Sequence, residues 1–171
     1  MRRTMAVVAA ITVVSLGFVC GYAWAEDRIT RDAVQELLDK AAAAFDARDI
    51  DGIASTATPE AILQYVDGSI VPLKVWKEET RKSFADTATM RSSFKVEVAE
   101  DTVDMATAKY TEIHEYTLVS DPSHGYRSVS HWTAALVKTG EGWRFTHFRE
   151  LSDEVTRDGE PYTPEPGTAR F

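Results

Sequence analysis

His147 and Arg149 have the residue types and spacing to act on a small molecule. An imidazole titrates near neutral pH and can take or give a proton. A guanidinium two residues further along a strand shares its face and can grip a carboxylate through two parallel hydrogen bonds. Phe145 and Phe148 flank the histidine. The same setting therefore also suits a half-buried imidazole that fills space and hydrogen-bonds a neighbour. Tyr65 and Trp132 offer aromatic surface to a ligand, with core packing as the alternative use. Glu112, His114 and His131 form a third set, a carboxylate and two imidazoles that strand alternation can bring to one face. Such a set can bind a transition metal, but the tight His-x-His or His-x-x-x-His spacing is missing, so no metal site is expected. Without a Gly-rich phosphate loop or a nucleophile-elbow serine, no nucleotide, cofactor or serine chemistry is expected either.

These residues need elements to hold them. Ile29 to Arg48 carries apolar residues at helical spacing, with Thr30 as a cap and Asp32 near the positive end of the helix dipole. Asp49 to Thr56 reads as a short second helix capped by Asp49 or Asp51, broken at Thr58-Pro59. Ala61 to Val66 and Ser69 to Leu73 flank Asp67-Gly68 as a hairpin. Lys74 to Thr87 returns to a helical pattern. The remainder reads as strands over Ser92–Val98, Thr102–Leu118, Tyr126–Lys138 and Trp143–Ser152. The tail from Thr156 holds Gly159, Pro161, Pro164, Pro166 and Gly167 and is expected to be extended or disordered.

The N-terminus sets the compartment. Arg2 and Arg3 precede an apolar run from Met5 to Val19, and Ala23-Trp24-Ala25 supplies a cleavage site. Residues 1–25 are read as a signal peptide, with an uncleaved anchor as the alternative. The protein is then periplasmic or secreted. Residues 26–155 form one domain and 156–171 the tail. The single cysteine, Cys20, leaves with the leader, so no disulfide or thiol chemistry is expected in the rest. The net charge of −8 falls to −10 without Arg2 and Arg3, which argues against nucleic acid and anionic membranes as partners.

The element order, with Ser130-His131-Trp132 and the ending Gly142-Trp143-Arg144-Phe145-Thr146-His147-Phe148, resembles the nuclear transport factor 2-like superfamily. Its SnoaL-like members and the association domain of calcium/calmodulin-dependent kinases end similarly. The resemblance implies an α+β cone: a curved antiparallel sheet packed on about three N-terminal helices, with a pocket at the open end and often a homodimer through the outer sheet face. Some of these enzymes place a proton-abstracting carboxylate at the end of the first strand, where Asp67 stands here. The plainer account of Asp67-Gly68 is a turn. Related association domains carry histidine at the position of Arg149, and this departure points to an acidic ligand.

Face assignments follow from pairing. A loop centred on Pro122-Ser123 sets His114 opposite His131, and a tight turn at Gly140-Glu141 sets Leu136 opposite Phe145 and Ala134 opposite His147. Tyr110, Glu112, His114, Tyr116, His131, Arg144 and Glu150 then share the outer face. Trp132, Phe145, His147 and Arg149 share the pocket face. On this basis the first expectation is an exported small-molecule-binding protein, whose ligand is apolar or aromatic with an acidic group, held by Tyr65, Trp132, His147 and Arg149. The alternatives are a cofactor-independent SnoaL-like or ketosteroid isomerase-like enzyme (isomerase, cyclase or dehydratase) using His147 or Asp67, and a dimeric protein-interaction module.

Overall fold

The computed structural model describes residues 29–102 and 104–164. The expected leader, residues 1–25, lies outside them. Ten elements follow in order: α1 (Arg31–Asp46), α2 (Ile50–Ala54), β1 (Ala57–Gln64), β2 (Ile70–Pro72), α3 (Leu73–Ala85), β3 (Thr87–Asp101), β4 (Met105–Leu118), β5 (Gly125–Thr139), β6 (Gly142–Arg157) and β7 (Glu160–Pro161). The strands form one sheet in the order β2-β1-β6-β5-β4-β3, with β7 on β6. The expected α+β cone is present, but its sheet is mixed, because β1 pairs parallel to β6. A strand that precedes the third helix and returns beside the last long strand can run parallel to it without a tight turn.

The helices form where caps and periodicity put them. The Thr30 side chain accepts from Ala33 N, and Asp49 accepts from Gly52 N. Val34, Leu38, Ala41 and Phe45 are the buried stripe of α1. Phe45 joins the layers: its ring lies 6.2 Å from Trp76, 6.0 Å from Phe84, 5.9 Å from Phe94 and 4.7 Å from the His114 imidazole.

At one end of the sheet order β3 has a free edge, and α1 covers part of it with polar side chains. The Gln35 amide donates to Phe94 O at 2.7 Å and accepts from Val96 N at 2.9 Å, as a neighbouring strand would. Asp46 accepts from Ser92 N at 2.6 Å. These bonds satisfy edge groups that would otherwise be available for pairing with another chain.

The described part of the tail, residues 156–164, takes the extended alternative. β6 continues through Thr156 to Arg157, and the chain folds back as β7. Tyr162 packs edge-on to Tyr126 at 5.5 Å, and Tyr126 stacks on Tyr116 at 5.4 Å. The turn at Asp158-Gly159 suits this reversal, since Gly159 adopts φ +88°. Packing of Tyr162 on Tyr126 thus anchors residues 158–162, despite Gly159 and Pro161.

Gln35→Ala removes both bonds to the β3 edge. It is expected to lower the unfolding free energy by about 1–2 kcal/mol, read from urea denaturation. An unchanged midpoint would mean that water replaces the side chain at no cost.

Candidate active site

β4 sets the interior. Its buried residues are Ala106, Ala108, Tyr110, Glu112, His114, Tyr116 and Leu118, and the exposed or half-buried ones alternate between them. Tyr110 pairs with Trp132 and His114 with Ser128. This differs from the expected pairing of His114 with His131 by an odd number of residues, which reverses the face of β4 relative to β5. The cause lies at the two ends of the connection. Val119 N donates to Asp86 O at 2.7 Å and Ser120 N to the Asp86 carboxylate at 2.9 Å, drawing that end toward the C-terminus of α3. Gly125 is held across the sheet by Asp158, whose carboxylate accepts its N–H at 2.8 Å. The loop is therefore not centred on Pro122-Ser123.

β6 departs from simple alternation twice. Leu136 pairs with Phe145 as expected, but Ala135 pairs with His147, so Thr146 is an extra residue. Trp132 pairs with Glu150 while His131 pairs with Ser152, so Leu151 is a second. Each bulge shifts the phase by one residue. Phe145, Phe148, Glu150 and Asp153 consequently line the interior, together with Tyr65 and Trp132. His147 and Arg149 lie on the convex side, over a separate hollow shared with Glu100, Lys109 and Thr133. Asp67 is exposed in its turn, where its carboxylate accepts from Ser69 N at 2.9 Å. Of the sequence-derived candidates, the fold brings Tyr65 and Trp132 together, with rings 6.0 Å apart. It keeps His147, Arg149 and Asp67 out of the cavity lining. The Glu112, His114 and His131 set is divided too: His131 lies on the convex side, against Thr111 at 3.1 Å. Among the described residues no three His, Cys, Asp or Glu side chains converge to hold a metal ion.

The cavity encloses about 90 Å³ between α1, α3 and the sheet, and its walls are mostly aromatic and aliphatic. Glu112, Glu150 and Asp153 interrupt them. His114 is fully buried behind Glu112, and its Nε2 lies 2.6 Å from Glu112 Oε1. Its Nδ1 lies 2.9 Å from Ser92 Oγ. An ionised carboxylate only accepts, so in that state Nε2 carries the proton. With a neutral ring the Ser92 hydroxyl then donates to Nδ1. Glu150 accepts from Val66 N at 3.1 Å, and Asp153 accepts from Ser130 Oγ at 3.1 Å. Burial, with the charges of Glu112 and Glu150, raises the Tyr110 phenol well above its ordinary pKa and keeps it protonated. Glu112 faces an apolar space while one oxygen is held by a fixed donor, an arrangement suited to moving a proton. Ser92, Ser128, Ser130 and Asp153 escape a search for reactive residue types. Their signal is small polar residues in the buried phase of a strand.

Residues 26–149 match the SnoaL-like domain family. The chain belongs to that family. No curated protein sequence matches it. Among solved structures it is similar to a candidate scytalone dehydratase from Novosphingobium aromaticivorans, at 9% identity over 78% of this chain and 88% of that one, with TM-score 0.67. A ketosteroid isomerase-like protein from Erwinia carotovora atroseptica is similar at 14% identity, covering 71% and 96%, with TM-score 0.58. A hexachlorocyclohexane dehydrochlorinase is similar at 12% identity, covering 80% and 94%, with TM-score 0.61. At these identities the likeness concerns the fold alone; the SnoaL-like family match over residues 26–149 carries the assignment to the nuclear transport factor 2-like superfamily.

His114→Ala leaves the buried Glu112 without its donor and is expected to cost about 3–5 kcal/mol in thermal or urea unfolding. His147→Ala, on the convex side, is expected to stay within about 1 kcal/mol. Equal losses in the two variants would contradict the placement of His114.

Proposed function

We propose that this SnoaL-like protein is an enzyme that moves a proton within a small, largely apolar substrate bound in the cone, with Glu112 as the group that takes and returns it. One observation carries the reading: a buried carboxylate faces an apolar cavity, and a fully buried imidazole fixes one of its oxygens at 2.6 Å. In the forward step a substrate C–H gives its proton to the Glu112 carboxylate, and the electron pair left on carbon passes into adjacent unsaturation. Protonated Glu112 then returns the proton to another substrate atom, giving an isomer. Alternatively, it protonates a departing hydroxyl as the C–O bond breaks, giving water and an alkene. Neither route consumes an oxidant or a reductant. His114 is the positioning residue, since it acts through Glu112. The apolar walls keep water from competing for the proton. The names of the structural neighbours, a dehydratase candidate, an isomerase-like protein and a dehydrochlorinase, support this class over a passive carrier. An acidic ligand gripped by Arg149 has no support in this cavity, because Arg149 does not line it.

The test is proton exchange. In heavy water, with cyclohexanone or acetophenone as probe, the protein is expected to speed deuterium entry beside the carbonyl, followed by NMR. Glu112→Gln is expected to slow it by about 100-fold or more. His114→Gln, which keeps a donor toward Glu112, should retain more of the rate than His114→Ala, and Arg149→Ala should match the wild type. Equal rates in wild type and Glu112→Gln would remove Glu112 from the role.

A further inference from the structure

We propose that the indole Nε1–H of Trp132 selects the ligand of this cavity, and that the ligand is an uncharged molecule carrying a carbonyl or ether oxygen. The inference rests on the same cavity as the proposed function and adds what that cavity accepts. Trp132 is 6% exposed and lines the cavity, yet its Nε1 is buried with no hydrogen-bond partner among the described residues. An indole nitrogen can only donate. A buried donor without an acceptor is costly, which favours any occupant that supplies one.

The nearby chain does not supply it. Tyr110 and Glu150 are the cross-strand partners of Trp132, and the Tyr65 ring meets the indole edge-on at 6.0 Å. The carboxylates on the wall are engaged elsewhere: Glu112 with His114, Glu150 with Val66 N, and Asp153 with Ser130. An occupant that carries an acceptor meets this donor by displacing the side chains that close off Nε1.

Charge narrows the class. Glu112, Glu150 and Asp153 line the cavity, and no Lys or Arg among the described residues does. A carboxylate or phosphate entering would lose its hydration and meet three acidic groups with no cation to offset them. An ammonium would meet the acids favourably but has no acceptor for the indole. A neutral oxygen answers both conditions, since it accepts from Trp132 and brings no charge. Phe45, Phe94, Phe145 and Phe148 then cover the hydrocarbon part.

The experiment uses purified protein labelled with ¹⁵N-tryptophan and three probes of similar shape: acetophenone, styrene without the oxygen, and benzoate with a charge. Acetophenone is expected to bind saturably and move the Trp132 indole N–H resonance. Styrene is expected to bind more weakly without that shift, and benzoate at least tenfold more weakly than acetophenone. Trp132→Phe, which keeps a ring, should weaken acetophenone about tenfold and leave styrene nearly unchanged. If that variant does not fold, Trp24→Phe, Trp76→Phe and Trp143→Phe assign the resonance by elimination, and the wild-type comparison of probes decides. Benzoate binding as tightly as acetophenone overturns the proposal. So does a Trp132 resonance that stays still as acetophenone saturates, and so does the absence of acetophenone binding. Binding without deuterium exchange would keep Trp132 in its role and overturn the proton-transfer reading. Exchange and acetophenone affinity both undiminished in Trp132→Phe would do the reverse.

Discussion

An imidazole and a carboxylate at positions 114 and 112 point into the same apolar interior, and burial of either one alone is costly. Their 2.6 Å contact, extended by Ser92 at 2.9 Å, is what allows β4 to turn a polar segment inward. Ser92 is held in turn, since its backbone N–H donates to Asp46 at the end of α1. The first helix, the edge strand and the candidate catalytic carboxylate therefore form one connected hydrogen-bonded chain. Phe45 packs over it from α1 at 4.7 Å from the imidazole, so the chain is roofed by an aromatic ring rather than by water.

The two bulges of β6 complete the interior from the other side. Without the extra residues Thr146 and Leu151, regular alternation would carry a different set of side chains inward. With them, Glu150 and Asp153 join Glu112 around Trp132, and His147 and Arg149 turn to the convex face. Acidic groups inside and basic groups outside is an inversion that the local sequence around His147 does not advertise. It gives the cone an interior hostile to anions, in a chain whose net charge is −8.

Much of the fold was legible. Caps at Thr30 and Asp49, the turn at Asp67-Gly68 and the order of helices and strands follow from local chemistry. The site was less so, because it depends on register, which local patterns fix only through loops and bulges. Centring the β4–β5 loop on Pro122-Ser123 ignored Asp86, a residue distant in sequence that holds Val119 and Ser120. Yet β4 carried a usable signal by itself. One phase reads Ala106, Ala108, Tyr110, Tyr116 and Leu118, and the other reads Met105, Thr107, Lys109, Thr111, Ile113, Glu115 and Thr117. The first is the more apolar, and Glu112 and His114 belong to it. The bulges of β6 had no such marker, since neither Thr146 nor Leu151 is a residue type that announces one.

The inward phase of β4 is the central claim, and imidazole NMR tests it most directly. The sequence holds four histidines. With ¹⁵N-histidine labelling, the account predicts one ring N–H, at His114 Nε2, that exchanges slowly with water, is lost in His114→Gln, and shifts in Glu112→Gln. His124, His131 and His147 are expected to give no equally protected signal that depends on Glu112. If every ring proton exchanges at the solvent rate, or if no protected ring proton responds to Glu112→Gln, then β4 does not present Glu112 and His114 to the interior and Glu112 is not the proton-transfer group of the cavity.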